Sequence, residues 1–179
     1  LKYGISMEQT TDSAVALTTA LGSSKKVTSD LVGLNSRLAK VAGTSAAEMS
    51  ELTGTMVRGF GMTADEVERF TNTLATKAVA AGQNASLLIR DMATNSNILA
   101  MHAGRGAKYL GEMAKQSGIT GIGIEKMQGL SDIFLDMESG SEMAAKLNQF
   151  TGSSLNAMNL FNKAAKSDTV GVFKDITKA

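Results

Sequence analysis

Apolar residues recur at helical spacing along most of the chain. The clearest example is the set Val27, Leu31, Leu34, Leu38 and Val41, whose alternating four- and three-residue steps place all five on one helix face. This seam spans two heptads, which is shorter than the three or four heptads that indicate a coiled coil. It therefore predicts a helix that packs against a partner surface, and only weakly a supercoil.

Two helix starts are marked by capping boxes. In each box a hydroxyl residue, Ser45 or Thr63, is followed three positions later by a glutamate, Glu48 or Glu66. The hydroxyl accepts a hydrogen bond from an N–H of the first turn, and the glutamate accepts one from the capping residue. Two capped helices joined by a short glycine-containing turn predict a helical hairpin.

Amphipathic stripes follow both boxes and recur further along the chain. Their apolar members are spaced for one helix face and are the candidate residues for packing against a partner. They are Met49, Leu52, Met56 and Phe60 after the first box, Val67, Phe70 and Leu74 after the second, and Met127, Leu130 and Phe134 downstream.

Glycines separate the predicted helices, because the chain has no proline to end them. The candidate helix ends and hinges are Gly43, Gly61, Gly118, Gly140 and Gly152. Their intervals vary too much for a solenoid, which would hold a constant period. We therefore divide the chain into residues 1–42 with the heptad seam, 43–117 with the capped hairpins, and 118–179 with further helices.

The composition predicts an all-α protein with a small supply of bulky apolar side chains. Hydrophobic residues make up 43% of the chain, but Leu, Ile, Val and Phe together number only 40 of 179. A low share of these residues approaches the composition of disordered chains. We therefore expect short amphipathic helices and hairpins joined by Gly, Ser and Thr turns, extended or dependent on partners rather than folded into one compact bundle.

The residue types exclude most chemistry, so we expect no catalytic, metal or cofactor site and no enzymatic activity. The chain has no Cys and a single histidine, His102, which we expect to be structural or on the surface. The glycine-containing stretches 104–108 and 121–124 lack the endings of phosphate-binding loops. A net charge of +1 gives no reason to expect nucleic acid as a partner. No apolar run is long enough to cross a membrane.

The run LNSRLAKVAGTSAAEMSELTGTMVRGFGMTADEVERFTNTLATKA resembles segments of the tail tape-measure proteins of long-tailed bacteriophages. The stretches QSGITGIGIEKMQGL and FTGSSLNAMNLFNKAA continue the same style, so the resemblance extends from about residue 34 to residue 166. It depends on caps, glycines and apolar stripes together with a composition free of Pro and Cys and rich in Ala and Met.

This resemblance implies a structural component of the virion tail, a fragment from an end region, that contributes to tail assembly and length determination. The implied partners are copies of the chain in three- or six-fold association, tail tube proteins and the baseplate hub. The implied location is the phage tail, assembled in the bacterial cytoplasm. A helical subunit of a secretion or flagellar assembly is the alternative, and a virion-associated lysin is a third hypothesis that the missing catalytic residues disfavour.

Overall fold

The computed structural model describes residues 4–178, and this part of the chain contains eleven α-helices and no strand. The predicted all-α class is therefore confirmed. The helices are α1 (Met7–Leu21), α2 (Ser29–Ala42), α3 (Ala46–Gly54), α4 (Ala64–Ala80), α5 (Ala85–Thr94), α6 (Ser96–Met101), α7 (Gly106–Thr120), α8 (Ile124–Ile133), α9 (Met137–Thr151), α10 (Ala157–Ala165) and α11 (Thr169–Lys178).

The chain forms two compact units, Leu1–Ile119 and Thr120–Ala179. In the first unit α3 packs against α1, α2 and α5, and α4 packs against α5. Met49 and Leu52 of α3 have no exposed surface, and Met56 just beyond it is 1% exposed. The interior of the first unit is therefore organised around α3.

The second unit has an apolar cluster of its own. Its members are Phe134, Ala144, Leu160, Ala164 and Val172, contributed by the end of α8 and by α9, α10 and α11. Lys163 of α10 and Asp175 of α11 form an ion pair beside this cluster. The four helices therefore bury apolar side chains against one another.

The expectation of an extended chain does not hold within either unit, because each is compact, and dependence on partners stays a prediction. Counting bulky side chains overlooked how closely helices with small residues can approach. A Cβ added at Gly54 of α3 would lie 3.1 Å from the Cβ of Ala20 in α1. Close approach of backbones leaves less volume to fill, so methionine, alanine and leucine are enough to complete the interior.

Both predicted capping boxes are confirmed. Ser45 accepts a hydrogen bond from the Glu48 N–H at 3.1 Å, and its own N–H donates to the Glu48 carboxylate at 3.0 Å. Thr63 and Glu66 make the same pair of bonds at the start of α4. The preceding helix and turn end at left-handed glycines, Gly43 with φ +66° and Gly61 with φ +69°, as predicted.

The predicted hairpin of α3 and α4 is wrong. The segment Thr55–Gly59 continues α3 as a π-helix, with the Phe60 N–H donating to the carbonyl of Thr55 at 3.2 Å. Such a wider turn changes the direction in which the chain leaves a helix. As a result α4 packs against α5 instead of returning along α3.

Two of the five candidate helix ends lie inside helices. Gly118 belongs to α7 and Gly140 to α9, whereas Gly152 ends α9 in the left-handed conformation as predicted. Helix α9 begins earlier because the Asp136 side chain accepts a hydrogen bond from the Ser139 N–H at 2.7 Å. A Cβ at Gly140 would lie 3.2 Å from the Cα of Phe134, so this glycine permits close packing.

The heptad seam extends beyond the helix that it predicts. Val27 precedes α2, and Val41 is 61% exposed, whereas Leu31, Leu34 and Leu38 are buried. Several polar or small residues of α2, including Asn35 and Ser36, are buried as well. Because α1, α3 and α5 surround α2 on more than one side, its buried face is wider than a two-stranded seam.

Across residues 4–178 no helix combines the length and the apolar character needed to span a bilayer.

Candidate functional site: a basic-rimmed cleft in the first unit

An open cleft of about 740 Å³ lies in the first unit, lined by α4, α7 and the start of α5. The two long helices face each other across this cleft. A Cβ at Gly111 of α7 would lie 3.5 Å from the Phe70 ring of α4, and one at Gly118 would clash with Oε1 of Gln83 in the turn after α4. The volume is in the range of small-molecule sites in proteins.

Helix α4 contributes two rows of side chains to the cleft. Phe70, Leu74 and Ala78 recur every four residues and form the apolar row, in which Leu74 and Ala78 are buried. Arg69 and Lys77 belong to the neighbouring row and are exposed. Residues four apart lie on one helix face, so the apolar row forms the wall and the basic row its rim.

Helix α7 forms the opposite wall with small residues and a second charged row. Ala107 and Gly111 face the cleft without a bulky side chain, and this leaves the space between the helices unfilled. Lys108, Glu112 and Lys115 follow along the same helix. Leu88 of α5, only 6% exposed, adds apolar surface to the lining.

The charges of the lining are unbalanced. The cations are Arg69, Lys77, Lys108 and Lys115, and the carboxylate is Glu112, so the lining carries a net charge of +3. The entire chain carries only +1. Positive charge is therefore concentrated at this cleft, and such a concentration attracts anions.

The structure brings two of the candidate packing residues, Phe70 and Leu74, into the cleft. Leu31, Leu34, Leu38, Met49, Leu52, Met56 and Val67 are buried in the first unit, and Met127 and Phe134 in the second. Val27, Phe60 and Leu130 are half-buried, and Val41 is exposed. Sequence reasoning missed the four cations, although Arg69, Thr73 and Lys77 show the periodic signal of a polar row beside an apolar one.

His102 is 2% exposed and lies at the end of α6. Its ring centroid is 5.3 Å from that of Tyr109, and the Arg105 guanidinium lies 4.7 Å from the centre of the same tyrosine ring. These contacts agree with the predicted structural role of the histidine. No group of three His, Cys, Asp or Glu side chains within residues 4–178 is arranged to hold a metal ion.

The first unit is therefore helical and has an apolar cleft with a basic rim. Comparison with known proteins adds one relative, AlkN of Alcanivorax borkumensis strain SK2, provisionally named a methyl-accepting chemotaxis protein. It is 25% identical over 157 residues, which are 84% of this chain but 22% of the relative. The chain thus spans about a fifth of that protein's length. No family model matches the chain, and no solved structure matches it.

This similarity contradicts the resemblance to phage tape-measure proteins. The relative is named for chemotaxis, so the predicted tail function and virion location are wrong, and the secretion or flagellar alternative gains no support either. Capping boxes, glycine turns and Ala-rich stripes are features of helices in general, and they misled the assignment for that reason. Self-association of the chain stays a prediction.

Proposed function

We propose that this chain is a non-catalytic, ligand-binding helical module of a bacterial signalling protein of the chemotaxis type. The observation that carries the proposal is the similarity to AlkN, because the 157 matched residues exceed the length of either compact unit. The cleft between α4 and α7 supports the binding part of the proposal. The single buried histidine and the lack of cysteine favour binding over catalysis.

A ligand in the cleft would act on the relative position of two helices. It would touch α4 and α7 together, and it would favour whichever spacing of the helices improves those contacts. Helix α7 ends at Thr120, where the first unit gives way to the second along the chain. A shift of α7 would therefore reach the second unit through the covalent backbone.

Deletion of the gene that encodes this chain tests the proposal. Tracked in attractant and repellent gradients, the deleted cells should swim at normal speed but lose directed drift toward or away from at least one stimulus. Normal drift toward every stimulus that the parent strain senses would contradict the proposal.

Complementation ties the effect to the cleft. A gene carrying Gly111→Leu, which places a bulky side chain among the lining residues, should fail to restore drift. Gly129→Leu changes a glycine of α8 that has nothing within 4 Å of the added Cβ, and it should restore drift fully. Equal complementation by both variants would remove the cleft from the proposal.

A further inference from the structure

We propose that the cleft between α4 and α7 binds a free amphipathic carboxylate, an elongated apolar molecule with one acidic head. This inference rests on the proposed role of the cleft as the ligand site. It names the class of ligand from the lining residues alone.

The apolar lining requires an apolar body. Phe70, Leu74, Ala78 and Leu88 form a continuous wall, and the opposite helix presents Ala107 and Gly111. Water in such a space gains few hydrogen bonds, so its displacement by hydrocarbon is favourable. A small polar anion alone would leave this apolar wall in contact with water.

The rim requires negative charge. Two cations lie on each side, Arg69 and Lys77 on α4 and Lys108 and Lys115 on α7, and Glu112 opposes them alone within the lining. A carboxylate can accept two parallel hydrogen bonds from Arg69 or pair with a lysine as a point charge. Arg69 and Lys77 are eight residues apart on α4, and Lys108 and Lys115 are seven apart on α7, a rise of roughly 10–12 Å in each pair. Neither helix therefore brings its two cations to one point, as a phosphate group would favour.

The length of the cleft suits an elongated small molecule. Its lining on α4 and the residue that follows runs from Arg69 to Ala81, a rise of roughly 18 Å at 1.5 Å per residue. An elongated small molecule fits within the cleft, with its head at the rim and its body along the apolar row.

Isothermal titration calorimetry on the full chain with decanoate tests the inference. Decanoate should bind saturably at one site, and decanol should bind at least about tenfold more weakly because it lacks the charge. Acetate, which lacks the apolar body, and decylamine, which reverses the charge, should show no saturable binding. Equal affinity for decanol and decanoate would overturn the carboxylate assignment.

Variants locate the binding. Gly111→Leu should abolish decanoate binding while helicity and melting temperature stay at or above those of the parent, because leucine is a better helix former than glycine. Gly129→Leu is the matched control and should bind normally. Ala107→Leu places a bulky side chain in the cleft from the first turn of α7. It replaces Gly111→Leu as the test variant if Gly111→Leu lowers helicity. Normal binding by a folded filled-cleft variant would overturn the site.

Charge variants separate the head from the body. Lys77→Gln combined with Lys115→Gln should weaken decanoate binding by about five- to tenfold and leave decanol unchanged. Lys126→Gln, an exposed lysine of α8, is the control and should have no effect. Unchanged decanoate affinity in the double variant would contradict the role of the rim.

The remaining outcomes distinguish this inference from membrane binding and from the proposed signalling role. Binding to vesicles of anionic lipid without binding to decanoate would show that the cleft recognises a membrane surface and would overturn the inference. If decanoate fails to bind but deletion of the gene abolishes drift, the ligand class is wrong and the proposed function stands. If decanoate binds and drift is normal, the site stands and the signalling role fails.

Discussion

Gly54 of α3 lies so close to Ala20 of α1 that a side chain at position 54 would force the two helices to shift apart. A Cβ added at Gly54 would lie 3.1 Å from both the Cβ and the carbonyl oxygen of Ala20. The carbonyl is backbone and cannot rotate away, so the two helices approach this closely only because residue 54 has no Cβ.

The first prediction concerns this crossing. Gly54→Ala should lower the free energy of unfolding by roughly 1–3 kcal/mol, because overpacking outweighs the helix propensity that alanine gains over glycine. Gly129→Ala in α8 has open space around the new methyl and should be neutral or stabilising by up to about 1 kcal/mol. Urea unfolding followed by circular dichroism measures both, and equal effects at the two sites would contradict the crossing.

The second prediction concerns the start of α9. Asp136→Ala removes the acceptor of the Ser139 N–H and should lower the melting temperature by about 3–6 °C. Ser141 lies within α9 and is exposed, so Ser141→Ala should leave the melting temperature almost unchanged. A larger loss for Ser141→Ala would mean that the helix begins at Gly140 after all.

The third prediction concerns pH. The backbone N–H of Ser45 and then its hydroxyl donate to the Glu48 carboxylate and hold its pKa below the ordinary value of 4.5, and Thr63 does the same for the pKa of Glu66. A lowered pKa in the folded state means that the stabilisation is complete above pH 4.5 and is lost as the pH falls through the folded value. NMR titration of the two carboxyl carbons should show both lowered values.

The two caps provide the control for that titration. Ser45→Ala keeps the backbone N–H but removes the hydroxyl, so the pKa of Glu48 should rise part of the way to its ordinary value while that of Glu66 is unchanged, and Thr63→Ala should do the reverse. Stability of each variant should vary less with pH below 4.5 than stability of the parent. Glutamates that titrate at the ordinary value in the parent would contradict the boxes.

The fourth prediction concerns a buried amide in the first unit. Asn35 has no exposed surface, donates to the Ser50 hydroxyl at 2.9 Å and accepts from the Thr53 hydroxyl at 3.0 Å. Asn35→Ala should cost roughly 2–4 kcal/mol, since it leaves a cavity and removes a partner from each hydroxyl. Asn72→Ala, exposed on α4, should change stability by less than about 0.5 kcal/mol in the same unfolding assay.

The candidate site was predictable in part. The apolar row of Phe70 and Leu74 follows from the helical period, and the basic row beside it could have been recognised from the same period. The opposite wall could not, since Gly111 and Lys115 lie about forty residues away along the chain. Until α4 and α7 are known to line one cleft, the apolar and basic rows are ordinary features of two separate amphipathic helices.

The sequence by itself determined where several helices start and end. Ser45, Thr63 and their glutamates start helices, and Gly43, Gly61 and Gly152 end them, because these bonds and left-handed turns involve residues within one turn of each other. The all-α class follows from the same short-range rules repeated along the chain.

Tertiary structure decided the rest. Gly118 and Gly140 are glycines like those at the true helix ends, and the sequence does not distinguish them. They nevertheless lie inside helices, where a neighbouring side chain or backbone occupies the space beside them. Whether a glycine ends a helix or admits a close neighbour depends on what packs against it. That contact, like the cleft and the burial of Asn35, is fixed by residues distant along the chain.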